Sequence, residues 1–111
     1  MHTVVETAPY LSSAKAEGMT ADELKLAVDM IAADPEAGDL IVGAGGCRKV
    51  RIPGKGRGKS GGYRVVTYYF SDSAPVFLLA VLAKGSRANF SGAECATLAK
   101  AAKRLRDVSG K

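Results

Sequence analysis

Residues 45–70 read GGCRKVRIPGKGRGKSGGYRVVTYYF, and the organisation of the chain follows from this stretch. Its two ends, Arg48-Lys49-Val50-Arg51-Ile52 and Arg64-Val65-Val66-Thr67-Tyr68-Tyr69-Phe70, alternate as strands do, and glycines fill the middle. Two such runs joined by a glycine-rich segment predict a β-hairpin with a long basic tip. Side chains alternate across a strand, so Lys49 and Arg51 share one face while Val50 and Ile52 share the other. A hairpin symmetric about its glycine loop sets Arg51 opposite Arg64 and Cys47 opposite Tyr68, which brings Arg64 and Tyr68 onto the Lys49/Arg51 face. The expectation is one charged face and one core face.

The same stretch carries seven cations (Arg48, Lys49, Arg51, Lys55, Arg57, Lys59 and Arg64) and no acid; Asp39 and Asp72 are the nearest carboxylates on either side. Like charges facing each other across a ladder cost stability, so the block implies an anionic partner. The 111-residue chain has a formal net charge of +5, with eight acids against two bases in residues 1–39 and fourteen bases against three acids in the remainder. The C-terminal two-thirds is therefore the anion-binding part. Nucleic acid fits such a clustered footprint best, although a membrane surface or an acidic protein attracts the same pattern.

A chain of this length suits one domain spanning residues 1–111, with one hydrophobic core. Cys47 and Cys95 lack metal-ligand spacing and His2 is the only histidine, so neither a zinc site nor a disulfide framework is indicated, and the cysteines read as reduced core thiols. No signal-like or membrane-spanning run appears; the longest apolar run is Val76 to Ala83. A cytoplasmic location is expected.

Working outward, Thr3 to Tyr10 (TVVETAPY) reads as a first strand that ends at Pro9 or lies at an edge. One or two helical turns over Leu11 to Glu17 stop at Gly18. Thr20-Ala21-Asp22-Glu23 is a capping box, and Leu24, Ala27, Val28 and Ile31 follow at helical spacing, which predicts a helix from Ala21 to Ala33. Asp34 to Gly46 is turn-rich. Ser71 to Pro75 is a second turn cluster, and Val76 to Ala83 (VFLLAVLA) is an apolar strand covered on both faces at the middle of the sheet. Ser91-Gly92-Ala93-Glu94 is another capping box, opening a helix whose core stripe is Cys95, Leu98, Ala102 and Leu105. The fold class is α+β: a small, twisted, antiparallel-rich sheet packed against N-terminal helices and a C-terminal helix.

The loop GKGRGKS (residues 54–60) resembles the end of a phosphate-binding P-loop but fails its requirements. Pro53 stands where the first glycine belongs, a strand follows instead of a helix, and no carboxylate lies nearby to hold magnesium. No Ser/His/Asp, Cys/His or paired-carboxylate set accompanies the basic half, so any chemistry here works with cations and calls for no metal or cofactor. Lysine and arginine side chains can support RNA cleavage by stabilising a pentacoordinate phosphate and moving protons at the attacking and leaving oxygens. The same cations can also bind phosphates without chemistry. Tyr63, Tyr68 and Tyr69 read either as base-stacking aromatics or as half-buried core; Tyr69 goes with the core, and Tyr68 stays open between the two. Lys84 and Arg87, after the apolar strand, extend the basic surface if that strand ends beside the hairpin.

Taken together, GGCRKVRIP, the K-G-R-G-K-x-G-G loop, GGYRVVTYYF with its acidic turn, and VFLLAVLAKG before the last helix resemble the RelE/ParE superfamily of toxins from bacterial toxin-antitoxin pairs. The HigB-like RelE branch is the nearest. The resemblance covers nearly the whole chain and implies a small α/β toxin whose open cleft cuts mRNA in the ribosomal A site. It carries the catalytic cations onto Lys49, Arg51 and Arg64, with Lys84 at a basic position after the last strand; in place of the family's C-terminal tyrosine the candidates are Tyr68, a residue of the ribosome, or the RNA itself. Arg48, Lys55, Arg57, Lys59 and Arg87 would grip RNA. The chain departs from some RelE members in having Gly85 after Lys84, and in placing Phe90 and Ser91 where those members have a catalytic tyrosine. The resemblance also implies a cognate antitoxin, with a helix-turn-helix DNA-binding domain through which the pair meets operator DNA. The alternatives are a ParE-like DNA gyrase poison and a non-catalytic basic RNA-binding module.

Overall fold

The computed structural model describes residues 2–54, 62–83 and 90–109. Its elements in chain order are β1 (Val4–Glu6), α1 (Ala8–Ala16), α2 (Ala21–Ala33), β2 (Asp39–Leu40), β3 (Cys47–Ile52), β4 (Tyr63–Tyr68), β5 (Val76–Ala83) and α3 (Gly92–Ser109). The strands form one sheet in the order β1-β5-β4-β3-β2. All neighbours are antiparallel except β1 and β5, which run parallel. The α+β architecture is the expected one.

The hairpin has the register that symmetry predicts: Cys47 pairs with Tyr68, Lys49 with Val66 and Arg51 with Arg64. α2 runs from Ala21 to Ala33 as its sequence indicates. At its start Thr20 Oγ1 accepts from the Glu23 backbone N–H at 3.1 Å, and Glu23 Oε1 accepts from the Thr20 N–H at 2.8 Å. The same reciprocal pair joins Ser91 and Glu94 at the head of α3, at 3.1 and 2.8 Å. Each cap of this kind stabilises its helix by about 1 kcal/mol.

Three readings change. The strand expected over Thr3 to Tyr10 is confined to Val4–Glu6, and Ala8, Pro9 and Tyr10 open α1. Thr7 Oγ1 accepts from the Tyr10 N–H, and a proline in the first helical turn gives up a donor that had no partner there. β5 is an interior strand, as expected, but the middle of the five is β4. The turn-rich segment after α2 contains a short edge strand, β2, that no alternation marked.

Helices α1 and α2 cover one face of the sheet, where Tyr10, Ala14, Ala27 and Ile31 pack against Val50, Ile52, Tyr63, Val65, Val76, Leu78 and Val81. His2 is tied to this layer: its backbone N–H donates to Ala32 O at 2.9 Å, and its ring lies edge-on to Tyr69 with centroids 4.9 Å apart. Helix α3 covers part of the opposite face with Leu98, Ala102 and Leu105, over Cys47, Val66, Tyr68, Phe77 and Leu79. The β4–β5 register shifts between Val66 and Thr67, whose partners are Ala80 and Leu78. The extra residue, Leu79, joins Phe77 in the α3 core, so one bulge widens the apolar floor beneath that helix.

Candidate nucleic-acid interface

On the α3 side the sheet can be read as rows of paired residues. One row is Cys47, Tyr68 and Phe77; the next is Asp39, Lys49, Val66 and Ala80; the third is Arg51, Arg64 and Leu82. The first row is closed. Cys47 is fully buried, Tyr68 is 2% exposed and Phe77 is 6% exposed.

Several contacts hold α3 down there. Cys47 Sγ donates to the Leu98 carbonyl at 3.9 Å. Gly45 has φ +69°, and a Cβ at that position would lie 3.0 Å from Ala99 Cα, so glycine is what permits this close approach. The Tyr68 ring stacks on Phe70 at 5.6 Å, and its hydroxyl accepts from Arg106 Nη1 at 2.8 Å. Burial pushes the Cys47 thiol up to about 11, and the neighbouring Cys95 adds to that shift.

Among the described residues, the third row is less covered. Arg51 is exposed and Arg64 half-buried, with Lys49 half-buried one row away. Lys49 and Arg64 also take part in the protein's own interactions. Directly opposed residues in an antiparallel ladder bring their Cβ atoms to about 4.5–5.5 Å, so the Arg51/Arg64 pair is a like-charge contact that costs a few tenths of a kcal/mol without an anion. Leu82, the other neighbour of Arg64, belongs to a groove of about 330 Å³ under the N-terminal half of α3, lined by Ala80, Phe90, Ala93 and Leu98 together with Glu94 and Thr97.

The charged face expected from alternation is thus half charged and half core. Lys49, Arg51 and Arg64 come together as the strand pattern implied. Tyr68 lies on the same face but beneath α3, where its ring is closed to a stacking base. Arg48 points the other way, paired with Thr67 and Leu40, and its Nη1 donates to the carbonyls of Glu36 at 3.1 Å and Gly38 at 3.4 Å. It braces the segment that leads into β2. Lys55, Arg57, Lys59, Lys84 and Arg87 lie outside the described residues.

Two participants were missed. Arg106 suits a helix C-terminus on sequence grounds, and nothing in the spacing of α3 reveals that it reaches Tyr68. Asp39 stands directly across from Lys49, although the sequence reading treated it as a flanking charge. Among the described residues, no group of three or more His, Cys, Asp or Glu side chains is arranged to hold a metal ion. No helix among them is long and apolar enough to cross a membrane.

Residues 3–111 match the family described as the RelE toxin of the RelE / RelB toxin-antitoxin system. Among solved structures, a double arginine-to-alanine mutant of E. coli toxin RelE in the free state is similar to this chain. The TM-score is 0.51 at 17% sequence identity, with 93% of this chain and 95% of that chain covered. At that identity the likeness supports the fold.

Proposed function

The chain belongs to the RelE toxin family, and on that premise we propose that it is a ribosome-dependent mRNA endonuclease that arrests translation. Family membership implies a cognate antitoxin. The observation that carries the activity is the cationic row, in which an exposed Arg51 faces a half-buried Arg64 across β3 and β4 with Lys49 on the same face.

In this reading the RNA's own 2'-hydroxyl attacks the adjacent phosphorus. The O–P bond to the next nucleotide's 5'-oxygen breaks, leaving a cyclic phosphate on one fragment and a 5'-hydroxyl on the other. Arg51 and Arg64 hold the scissile phosphate and neutralise the charge that grows on its equatorial oxygens. Lys49 acts at the edge of that phosphate, where it helps activate the 2'-hydroxyl or protonate the leaving oxygen. The ribosome supplies the orientation of the message, which a shallow cationic face cannot impose alone. The antitoxin, carrying a helix-turn-helix domain, silences the toxin by covering this face or by displacing a helix, and brings the pair to operator DNA.

Primer extension on a translated reporter mRNA, beside the same naked RNA, tests the reading. Cuts confined to translated message are the expected result. Growth arrest with no cut in either sample would overturn it in favour of a gyrase-directed or non-catalytic toxin.

A further inference from the structure

We propose that Lys100 and Arg104, with Lys103 between them, form a second phosphate-binding surface on the outer face of α3, and that this surface lies against ribosomal RNA. The choice of the ribosome as partner rests on the endonuclease reading; the surface itself does not. Leu98, Ala102 and Leu105 turn the apolar stripe of α3 onto the sheet. At about 3.6 residues per turn, the opposite side of the helix carries Lys100, Lys103 and Arg104, and all three are exposed. Lys103 is bonded to Asp107 at 2.8 Å, whereas neither Lys100 nor Arg104 has an ion-pair partner among the described residues. Lys100 stands three and four residues from the other two, the spacings at which like charges on a helix repel. The helix dipole does not account for them. Its pull on cations fades beyond the last turn, where the one base is Arg106, and Arg106 is engaged by the Tyr68 hydroxyl.

Helix α3 lies on the sheet face that carries Lys49, Arg51 and Arg64, and α1 and α2 lie on the other. The two layers differ in charge: residues 8–33 hold four acids against two bases, while α3 holds four bases against two acids. A polyanion is therefore drawn to the α3 side and turned away from the opposite one. The Arg106–Tyr68 bond sets the C-terminal half of α3 over the Cys47/Tyr68 row, which lies about 13 Å along β4 from Arg64. An anion that meets both the arginine pair and the outer stripe must be extended, as a folded RNA surface is. Lys100, Lys103, Arg104, Asp107 and Val108 line a shallow recess of about 350 Å³ in which its backbone can seat. Toward the helix start the outer stripe continues with Ala93, Ala96 and Thr97, which give a protein partner no large apolar side chain to bury.

Binding of the purified protein to vacant ribosomes, measured by co-sedimentation across a salt series, tests the surface apart from the chemistry. Replacing both residues, Lys100→Gln with Arg104→Gln, should weaken binding about tenfold at about 0.1 M salt and reduce the slope of log Kd against log salt by about two. In the cleavage assay the same variant should raise KM about tenfold and leave kcat unchanged. Thermal melting should show it at least as stable as the wild type, because a repulsive pair has gone. The charge-keeping exchange, Lys100→Arg with Arg104→Lys, should bind as the wild type does, and Lys25→Gln, on the acidic layer, should change nothing. Wild-type Kd and salt slope in the double glutamine variant would overturn the proposal, as would an equal loss in the charge-keeping exchange. Loss of antitoxin binding with ribosome binding intact would also overturn it, in favour of an acidic protein partner. If the wild type binds ribosomes through these residues yet cuts no message, the endonuclease reading falls and the surface stands. If it cuts translated message while the glutamine variant binds normally, the reverse holds, and a wild type that does not bind ribosomes sinks both.

Discussion

The two ends of one sheet face make the most informative comparison in this molecule. Both belong to the same two strands, β3 and β4, with the same alternation and the same hand of twist. At one end Cys47 and Tyr68 are sealed beneath α3; at the other Arg51 is exposed and Arg64 half-buried. Where α3 reaches, the face needs apolar side chains and close glycine contacts. Where it stops, cations replace them and the sheet becomes a binding surface. The boundary between core and site is therefore drawn by the extent of one helix, not by any change in the strands.

The largest effects should separate the ends by what they damage. Arg51→Ala and Arg64→Ala should each reduce cleavage of translated message by about 10²–10³-fold, the usual loss when a stabiliser of developing phosphate charge is removed. Thermal unfolding should place Arg51→Ala within about 0.5 kcal/mol of the wild type, because the side chain is exposed and faces a like charge. Lys49→Ala should likewise abolish growth arrest while the protein stays folded. Wild-type cleavage in all three variants would erase the functional half of the comparison.

The closed end should respond in stability. Tyr68→Ala removes a fully packed aromatic and should cost about 3–5 kcal/mol in denaturant unfolding, the range for large aromatic truncations. If Tyr68→Ala unfolds no more easily than the wild type, α3 does not seal this end of the face.

Alkaline pH should sharpen the same point more gently. Cys47 keeps its proton in the folded state up to about 11, against an ordinary value of 9.0. Between those values the folded state binds the more protons, so stability is full below pH 9 and declines as pH rises toward about 11. Tyr10, which burial pushes up to about 12 with Glu6 adding to the shift, extends the decline above its ordinary 10.0. Melting curves across this range should fall, and Cys47→Ala should flatten the part that begins near pH 9.

The smallest expected change comes from the Arg106 contact. Tyr68→Phe deletes the hydroxyl that accepts from Arg106 and keeps the ring, so it should cost about 1 kcal/mol while cleavage stays near the wild-type rate. A large loss of activity without a loss of stability would return Tyr68 to the chemistry.

Much of this arrangement was legible in the chain. Alternation in β3 and β4 implied the Cys47/Tyr68 and Arg51/Arg64 pairs, because a side-chain period of two leaves few registers open. Both capping boxes and the bounds of α2 followed from local hydrogen-bonding chemistry. The first turn of α1 was less legible, since Thr-Ala-Pro-Tyr suits a strand end and a helix start equally well until the Thr7 cap is seen. β2 was illegible, because two residues carry no period and their place depends on how closely Gly38 approaches β3.

Residue order alone determined that Lys49, Arg51 and Arg64 share a face, because strand geometry is local and repeats every two residues. It also determined where α2 begins and ends. The tertiary structure decided that Tyr68 is core, that Arg48 braces a loop, that Arg106 meets Tyr68 and that Asp39 faces Lys49. Each of these depends on segments distant in sequence meeting in space: α3 on the hairpin, and the loop after α2 on β3. Such meetings are set by how the apolar surfaces of the whole chain are buried together, which no local pattern encodes.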